Sequence, residues 1–292
     1  MKPRTVNKSR ILNHTYIFWR NPINWYILLL VAAFLSSTLN SLRDIVRATR
    51  LPANALGLFS VSFSNAWVLL ASAAGATALL SSIPFVYPNY TQEVLREGQR
   101  RFVLIRLSHI MLISLIYTLF LLICVWLLSG STFNAIHRWG KVLNSIAAGN
   151  VPQQLDIRFQ VPLPLTQYYS PIQAACIAGA FFFTVMTSIG LIMYSLSVFF
   201  GRNVAVIFAS MLTVLDMTID QIGFGYRAYR FSPWSWVRMD LFADSTNPYI
   251  LRAEATVVVV ILTFLVSLAL ALFAGMSKRA LHIWQDPINQ HE

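Results

Sequence analysis

Apolar positions in this chain gather into long unbroken runs, and polar positions gather into islands between them. Six runs approach the roughly 20 residues that a helix needs to cross a bilayer: 25–42, 63–86, 102–128, 171–200, 204–224 and 255–276. In hydrocarbon a backbone has no water to bond, so each run must close its own hydrogen bonds as a helix. The pattern predicts an all-α integral membrane protein, one transmembrane domain over 1–292 with six transmembrane helices. Ahead of the first run, Leu12, Tyr16 and Trp19 share a helical face among Lys8, Arg10 and Arg20. That spacing predicts an interfacial helix over 10–20, before Pro22 turns the chain into the bilayer.

The islands carry patterns of their own. Residues 90–106 read YTQEVLREGQRRFVLIR, with Glu97 three and four positions before Arg100 and Arg101, the favourable order for ion pairs on a helix. Asn89 with Gln92 offers a cap, Gly98 offers a break, and the expectation is a short charged helix over 90–101. The loop 130–170 has room for a short amphipathic helix at 134–148, and 226–253 is rich in aromatics, with FSPWSW at 231–236. Gly201, Arg202 and Asn203 make a tight turn between the fourth and fifth runs.

Composition agrees with the pattern: 57% of residues are hydrophobic and 11% charged. The net charge of +11 is scattered through the loops and not gathered on one face with interleaved aromatics, so it speaks for membrane topology and anionic headgroups over nucleic acid. An even number of spans puts both termini on one side. The basic arm, Arg96, Arg100, Arg101, Arg106, Lys278 and Arg279 mark that side as cytoplasmic, although Arg43, Arg47 and Arg50 fall on the other. Cys124 and Cys176 lie inside apolar runs and read as buried thiols.

Candidate chemistry centres on the fifth run. Asp216 and Asp220 are four apart, on one helical face, and with Ser210 and Thr213 they make a polar stripe. Ionisable groups at such depth face a bundle interior, a cavity or a partner. Two readings stay open: a stripe lining a translocation path or cation site, or a helix interface in which Asp220 pairs with Arg227 or Arg230. His109 reads as an interfacial histidine, and the five histidines lack HxxxH or HExxH spacing. There is no GxxxxGK[ST] and no GxSxG, so the chain is expected to be no enzyme and to hold no catalytic, metal or cofactor site. Small residues at Ala71, Ser72, Gly75 and Ala76, and at Ala174, Ala178 and Gly179, predict close helix contacts.

The order of these elements resembles the permease subunit of a type-2 ABC exporter, the type V fold. The resemblance covers nearly the whole chain and rests on architecture, with QEVLREGQ similar to that family's coupling region and SPWSW similar to its proline-tryptophan turn before the last span. It implies a multi-pass protein of a bacterial plasma (inner) membrane, with both termini cytoplasmic and a coupling helix between the second and third spans. A re-entrant or short-helix extracellular element would lie between the fifth and sixth. It also implies a dimer with a second permease copy, identical or a sister chain, served by separate ABC ATPase subunits that bind ATP and Mg. Glu93, Arg96, Glu97, Arg100 and Arg101 would contact the ATPase, and Pro233, Trp234 and Trp236 would form an outer gate. The cargo expected is an amphipathic or antimicrobial peptide, a drug or a lipid. An ion-coupled secondary transporter or channel using Asp216 and Asp220, and a passive membrane immunity protein, are the competing readings.

Overall fold

The computed structural model describes residues 15, 18–49, 54–83, 98–129, 138–149, 161–223, 225–243 and 252–277. Among these the structure is helical, with no strand. Five helices are long and apolar enough to cross a membrane: α1 (Pro22–Thr49), α4 (Gln99–Ser129), α7 (Pro171–Phe200), α8 (Arg202–Ile222) and α10 (Ala253–Met276). A bent pair, α2 (Ala55–Ser62) and α3 (Ala66–Ser81), is a sixth crossing if its two halves are one span. Short helices α5 (Gly140–Ala147), α6 (Leu163–Tyr168) and α9 (Met239–Ala243) fill the connections. Two 3-10 turns, Tyr226–Phe231 and Trp234–Val237, precede α9.

The second apolar run departs from its sequence reading. Where the pattern gives one run over 63–86, the helix starts at Ala66 and turns by 83° from a preceding helix that the apolar spacing did not isolate. An asparagine starts each half: Asn54 caps α2 by accepting from the Leu56 and Gly57 amides, and at the corner itself Asn65 caps α3 by accepting from Trp67 and Val68. Each cap satisfies donors that the helix start leaves open, so the chain can restart a helix in a new direction at little cost. Sixteen residues of α3 span only about 24 Å, short of a hydrocarbon core of about 30 Å.

Helix α7 is the axis. Ser170 and Gln173 form a capping box around Pro171 in the first turn, so its start is fixed by three adjacent signals. It packs against α2, α3, α4, α8 and α10, and 61% of its most apolar window is buried against 22% for α10. That difference separates a helix wrapped by protein from one whose Val258, Leu262, Leu265 and Phe273 face outward. Glycines allow the closest approaches. A Cβ on Gly190 would meet Ile110 Cγ2 at 2.6 Å, and one on Gly75 would meet Val31 Cγ2 at 2.6 Å and the Tyr117 hydroxyl at 2.5 Å. Gly75, Ala174 and Ala178, read from the sequence as contact residues, are indeed buried.

Two sets of contacts define the ends of the bundle. At one, the Gln99 side chain donates to the Gly275 and Ser277 carbonyls, Arg202 donates to the Ser81 carbonyl, and Phe199 meets Phe273. At the other, Trp139 lies over Gly57 and donates to the Tyr169 carbonyl, and Phe242 packs on Tyr169 and Phe181. The expected helix at 134–148 is described here from Gly140 to Ala147, with 134–137 outside the described residues.

Of the interfacial helix over 10–20, Thr15 and 18–20 are described and are helical; Asn24 donates to the Phe18 carbonyl and Trp25 to the Trp19 carbonyl, pinning that segment to α1. The island helix over 90–101 lies outside the described residues through 97. Gly98 has φ +82, and Arg100 and Arg101 belong to the first turns of α4 instead of to a separate helix ending at 101. The thiols are not both buried: Cys124 is half-buried and Cys176 is exposed on the outer face of α7. Sulfur inside an apolar run tolerates either side of a helix, because it costs little in lipid.

Candidate functional site

The site is built where α8 ends. At Gly223 the chain takes a left-handed conformation, φ +72, and its amide closes on the Ile219 carbonyl; Gly225 follows at φ +81. Two positive angles so close together reverse the chain sharply, which residues with a Cβ adopt poorly. The reversal sends 226–243 back toward the bundle. The turns are stitched by serines: Ser235 donates to the Tyr229 and Ser232 carbonyls, and the Ser232 amide donates to Tyr229. Trp234 is driven wholly inside, its ring 5.4 Å from Phe182, which is stacked in turn on Phe63 at 5.2 Å and lies 6.0 Å from Tyr117. Phe182 is eleven residues into α7, about 16 Å along the axis, so the element reaches well below the helix ends.

This insertion brings Arg238 to the aspartates. The guanidinium is 8% exposed and forks onto Asp240, with Nη2 at 2.9 Å from Oδ2 and Nε at 3.4 Å from Oδ1. Its Nη1 reaches Asp220 Oδ1 at 3.4 Å and Asp216 Oδ2 at 3.6 Å. Tyr229 donates its hydroxyl to Asp220 Oδ1 at 2.5 Å and offers its ring face to the guanidinium, 5.2 Å from the centroid. One cation is thus shared among three carboxylates on two elements. Burial works against the charge of Arg238, but the Asp240 carboxylate and its hydrogen bond, with Asp216, outweigh it and hold the group more firmly protonated than a free arginine. Burial and the hydrogen bond to Asp220 push the Tyr229 phenol upward, so it stays a donor.

Helix α8 joins the site to α3. Thr77 and Thr213 hydrogen-bond at 2.8 Å, one turn before Asp216 on the same face, while Thr213 also donates back to the Ala209 carbonyl. Asp216 is 3% exposed and neither of its oxygens makes a hydrogen bond. Beside the cluster opens a cleft of about 440 Å³ lined by Ile219, Asp220, Gly223, Gly225, Tyr229, Arg238, Asp240 and Leu241. Wide enough for a side chain or a small amine, it carries carboxylate, phenol and guanidinium on its walls.

The sequence-derived residues are distributed unevenly over this geometry. Thr213, Asp216 and Asp220 come together; Ser210 does not, being exposed on the outer side of α8. The cation set on Asp220 is Arg238; Arg227 and Arg230, the candidates nearer in sequence, are both exposed on the neighbouring turn. A 3-10 turn points successive residues about 120° apart, so closeness in sequence did not decide the pairing. Of the gate candidates, Trp234 is buried, and Pro233 and Trp236 are half-buried beside it. Glu93, Arg96 and Glu97 lie outside the described residues; Arg100 is exposed and Arg101 half-buried at the other end of the molecule. His109 is buried on α4, edge-on to Phe18. Tyr229, Arg238 and Asp240 escaped the sequence reading. The available signal was two aspartates within an apolar run, which demand a cation. No group of His, Cys, Asp and Glu suited to a metal occurs among the described residues. Comparison with family models, with curated proteins and with solved structures finds no match to this chain.

Proposed function

We propose that this chain is a membrane-spanning transport subunit, the permease of an ATP-driven exporter, working as a dimer with separate ATPase subunits. The carrying observation is the cluster at the end of α8: charged groups set within an apolar bundle, clasped by an inserted element and open to a cleft. Charge at that depth is costly to keep, and transport is the common reason to keep it. Helix α8 carries the path, and Pro233, Trp234 and Trp236 belong to a gate that the Arg238 clasp holds shut. The exporter reading itself comes from architecture: a segment ahead of the first crossing, a charged island ahead of α4, and the inserted element between α8 and α10. Energy would enter through the island, with Glu93, Arg96, Glu97, Arg100 and Arg101 against an ATPase. The bacterial plasma membrane and cytoplasmic termini belong to this reading as well. Cargo would be an amphipathic peptide, a drug or a lipid.

One observation favours an ion-coupled transporter instead: Asp216 is buried with no hydrogen bond to either oxygen. Against it, Arg238 stands 3.6 Å away as a counter-ion, so Asp216 is already paired with a charge of this chain. The two readings separate by reconstitution. Co-expression with a P-loop protein from the adjacent reading frame should yield a complex whose ATP hydrolysis falls at least several-fold in Arg100→Glu/Arg101→Glu. Gradient-driven transport by the purified chain alone in liposomes, with ATP irrelevant, would overturn the exporter reading in favour of ion coupling.

A further inference from the structure

Among the ion pairs of the described residues, the clasp at the end of α8 sets one cation against three carboxylates. Three carboxylates, Asp216, Asp220 and Asp240, converge on the single guanidinium of Arg238. The guanidinium spends its fork on Asp240, so one nitrogen, Nη1, serves both remaining aspartates at 3.4 and 3.6 Å, long for charge-assisted bonds. Asp216 is left 3% exposed with no hydrogen bond on either oxygen, 3.6 Å from Nη1 of Arg238, whose side chain is part of the cleft wall. A buried carboxylate so thinly served is an acceptor prepared for a further donor. Asp220 is more open, its side chain 35% exposed on the cleft wall, and Tyr229 presents an aromatic face and a hydroxyl in the same wall. Carboxylate pairs beside an aromatic ring recognise ammonium and guanidinium groups, by charge-assisted hydrogen bonds and by the negative face of the ring. The chain as a whole carries +11, so this cleft is a local reversal of sign.

We infer that the cleft between α8 and α9 binds a cationic group of the cargo, a primary ammonium or a guanidinium, on Asp220 and Asp240 beside the Tyr229 ring. Arg238 is the internal occupant of that site: its guanidinium already makes the contacts an incoming cation would make. A cationic cargo group entering the cleft takes over part of the aspartate set, loosens the clasp between α8 and the inserted element, and leaves when Arg238 returns. This deepens the transport reading and borrows from it only the word cargo.

The test is binding to the purified chain in detergent, without an ATPase or a gradient, followed by thermal midpoint and by microscale thermophoresis. The probes are an amidated tetra-arginine peptide, 1,5-diaminopentane, and tetraglutamate as the anionic control. The expected result is saturable binding of at least one cationic probe and none of tetraglutamate. If the peptide alone binds, the cation comes from a peptide; if the diamine binds equally, a small amine suffices. Asp220→Asn and Asp240→Asn should each weaken binding roughly tenfold, as loss of a charged hydrogen-bond partner does. Tyr229→Phe should retain most of the affinity and Tyr229→Leu should lose it. Asp44→Asn, on exposed α1, should change nothing. The proposal is overturned by equal stabilisation from tetraglutamate or from sodium chloride alone, by no saturable binding to the folded wild-type chain, or by Asp220→Asn and Asp240→Asn variants that melt like wild type and bind undiminished. Failure here leaves the ATPase-coupled reading standing, and binding here is independent of whether an ATPase or a gradient drives transport.

Discussion

Arg238 is the residue on which most of the polar interior depends. Replacing it by Met removes the only cation within 4 Å of Asp216 among the described residues, and a stranded buried charge costs about 3–5 kcal/mol. Arg238→Met should therefore lower the unfolding midpoint sharply in detergent. Adding Asp216→Asn should restore a large part of the loss, since the two act through one contact; additive losses would show that Arg238 acts elsewhere. Trp234 makes a different kind of contribution. It fills a closed aromatic pocket against Phe182, and Trp234→Ala should cost about 3–5 kcal/mol by leaving a cavity. Its half-buried neighbour, in Trp236→Ala, should cost clearly less, measured by the same unfolding experiment. Both aspartates were visible in the sequence because a carboxylate in an apolar run stands out. Arg238 was not, because four arginines follow α8 before α10 and only the path of the inserted element selects among them.

At the scale of elements, glycine and asparagine do the placing. Gly75 lets α3 approach α1 and α4 together, and an added methyl would strike Val31 and the Tyr117 hydroxyl, itself tied to the Ser72 carbonyl. Gly75→Ala should cost about 1–3 kcal/mol through overpacking. Gly179 makes the contrast, since its Cβ would meet only Phe59 at 3.7 Å, an ordinary contact. Gly179→Ala should change stability by less than about 0.5 kcal/mol, as an unstrained substitution. Equal effects at the two positions would refute the close approach. Both glycines were read from sequence as contact residues; which of them is tight depends on the partner helix, which spacing does not name. The restart of α3 carries a local signal, since Asn65 precedes a helical stretch as a cap residue does, but a cap gives no angle. Hydropathy masked it, because both sides of the corner are apolar.

At the scale of the molecule, α7 is enclosed and α8, α10 and α1 present apolar faces outward, with Met211, Leu262 and Trp25 among the exposed side chains. The helices run alternately, so Asn203 and Ser277 share one end and Tyr168 the other. With Cys124 and Cys176 replaced by Ser, single cysteines at Asn203 and Ser277 should be labelled by an impermeant maleimide from one side of intact membrane vesicles, and one at Tyr168 from the opposite side. Labelling of all three from one side would dismantle the arrangement.

By itself the sequence determined the class of solvent and the kind of element: runs of about 20 apolar residues in lipid have no alternative to the helix. It also determined where charge is expensive, at Asp216 and Asp220. Only the tertiary structure decided which helix became the axis, that the second run breaks at Asn65, and that Arg238 is the counter-ion. Periodicity records which face of a helix is apolar, not what packs against it. The partner of a buried charge is set by where a distant turn re-enters the bundle, and that is a property of three dimensions.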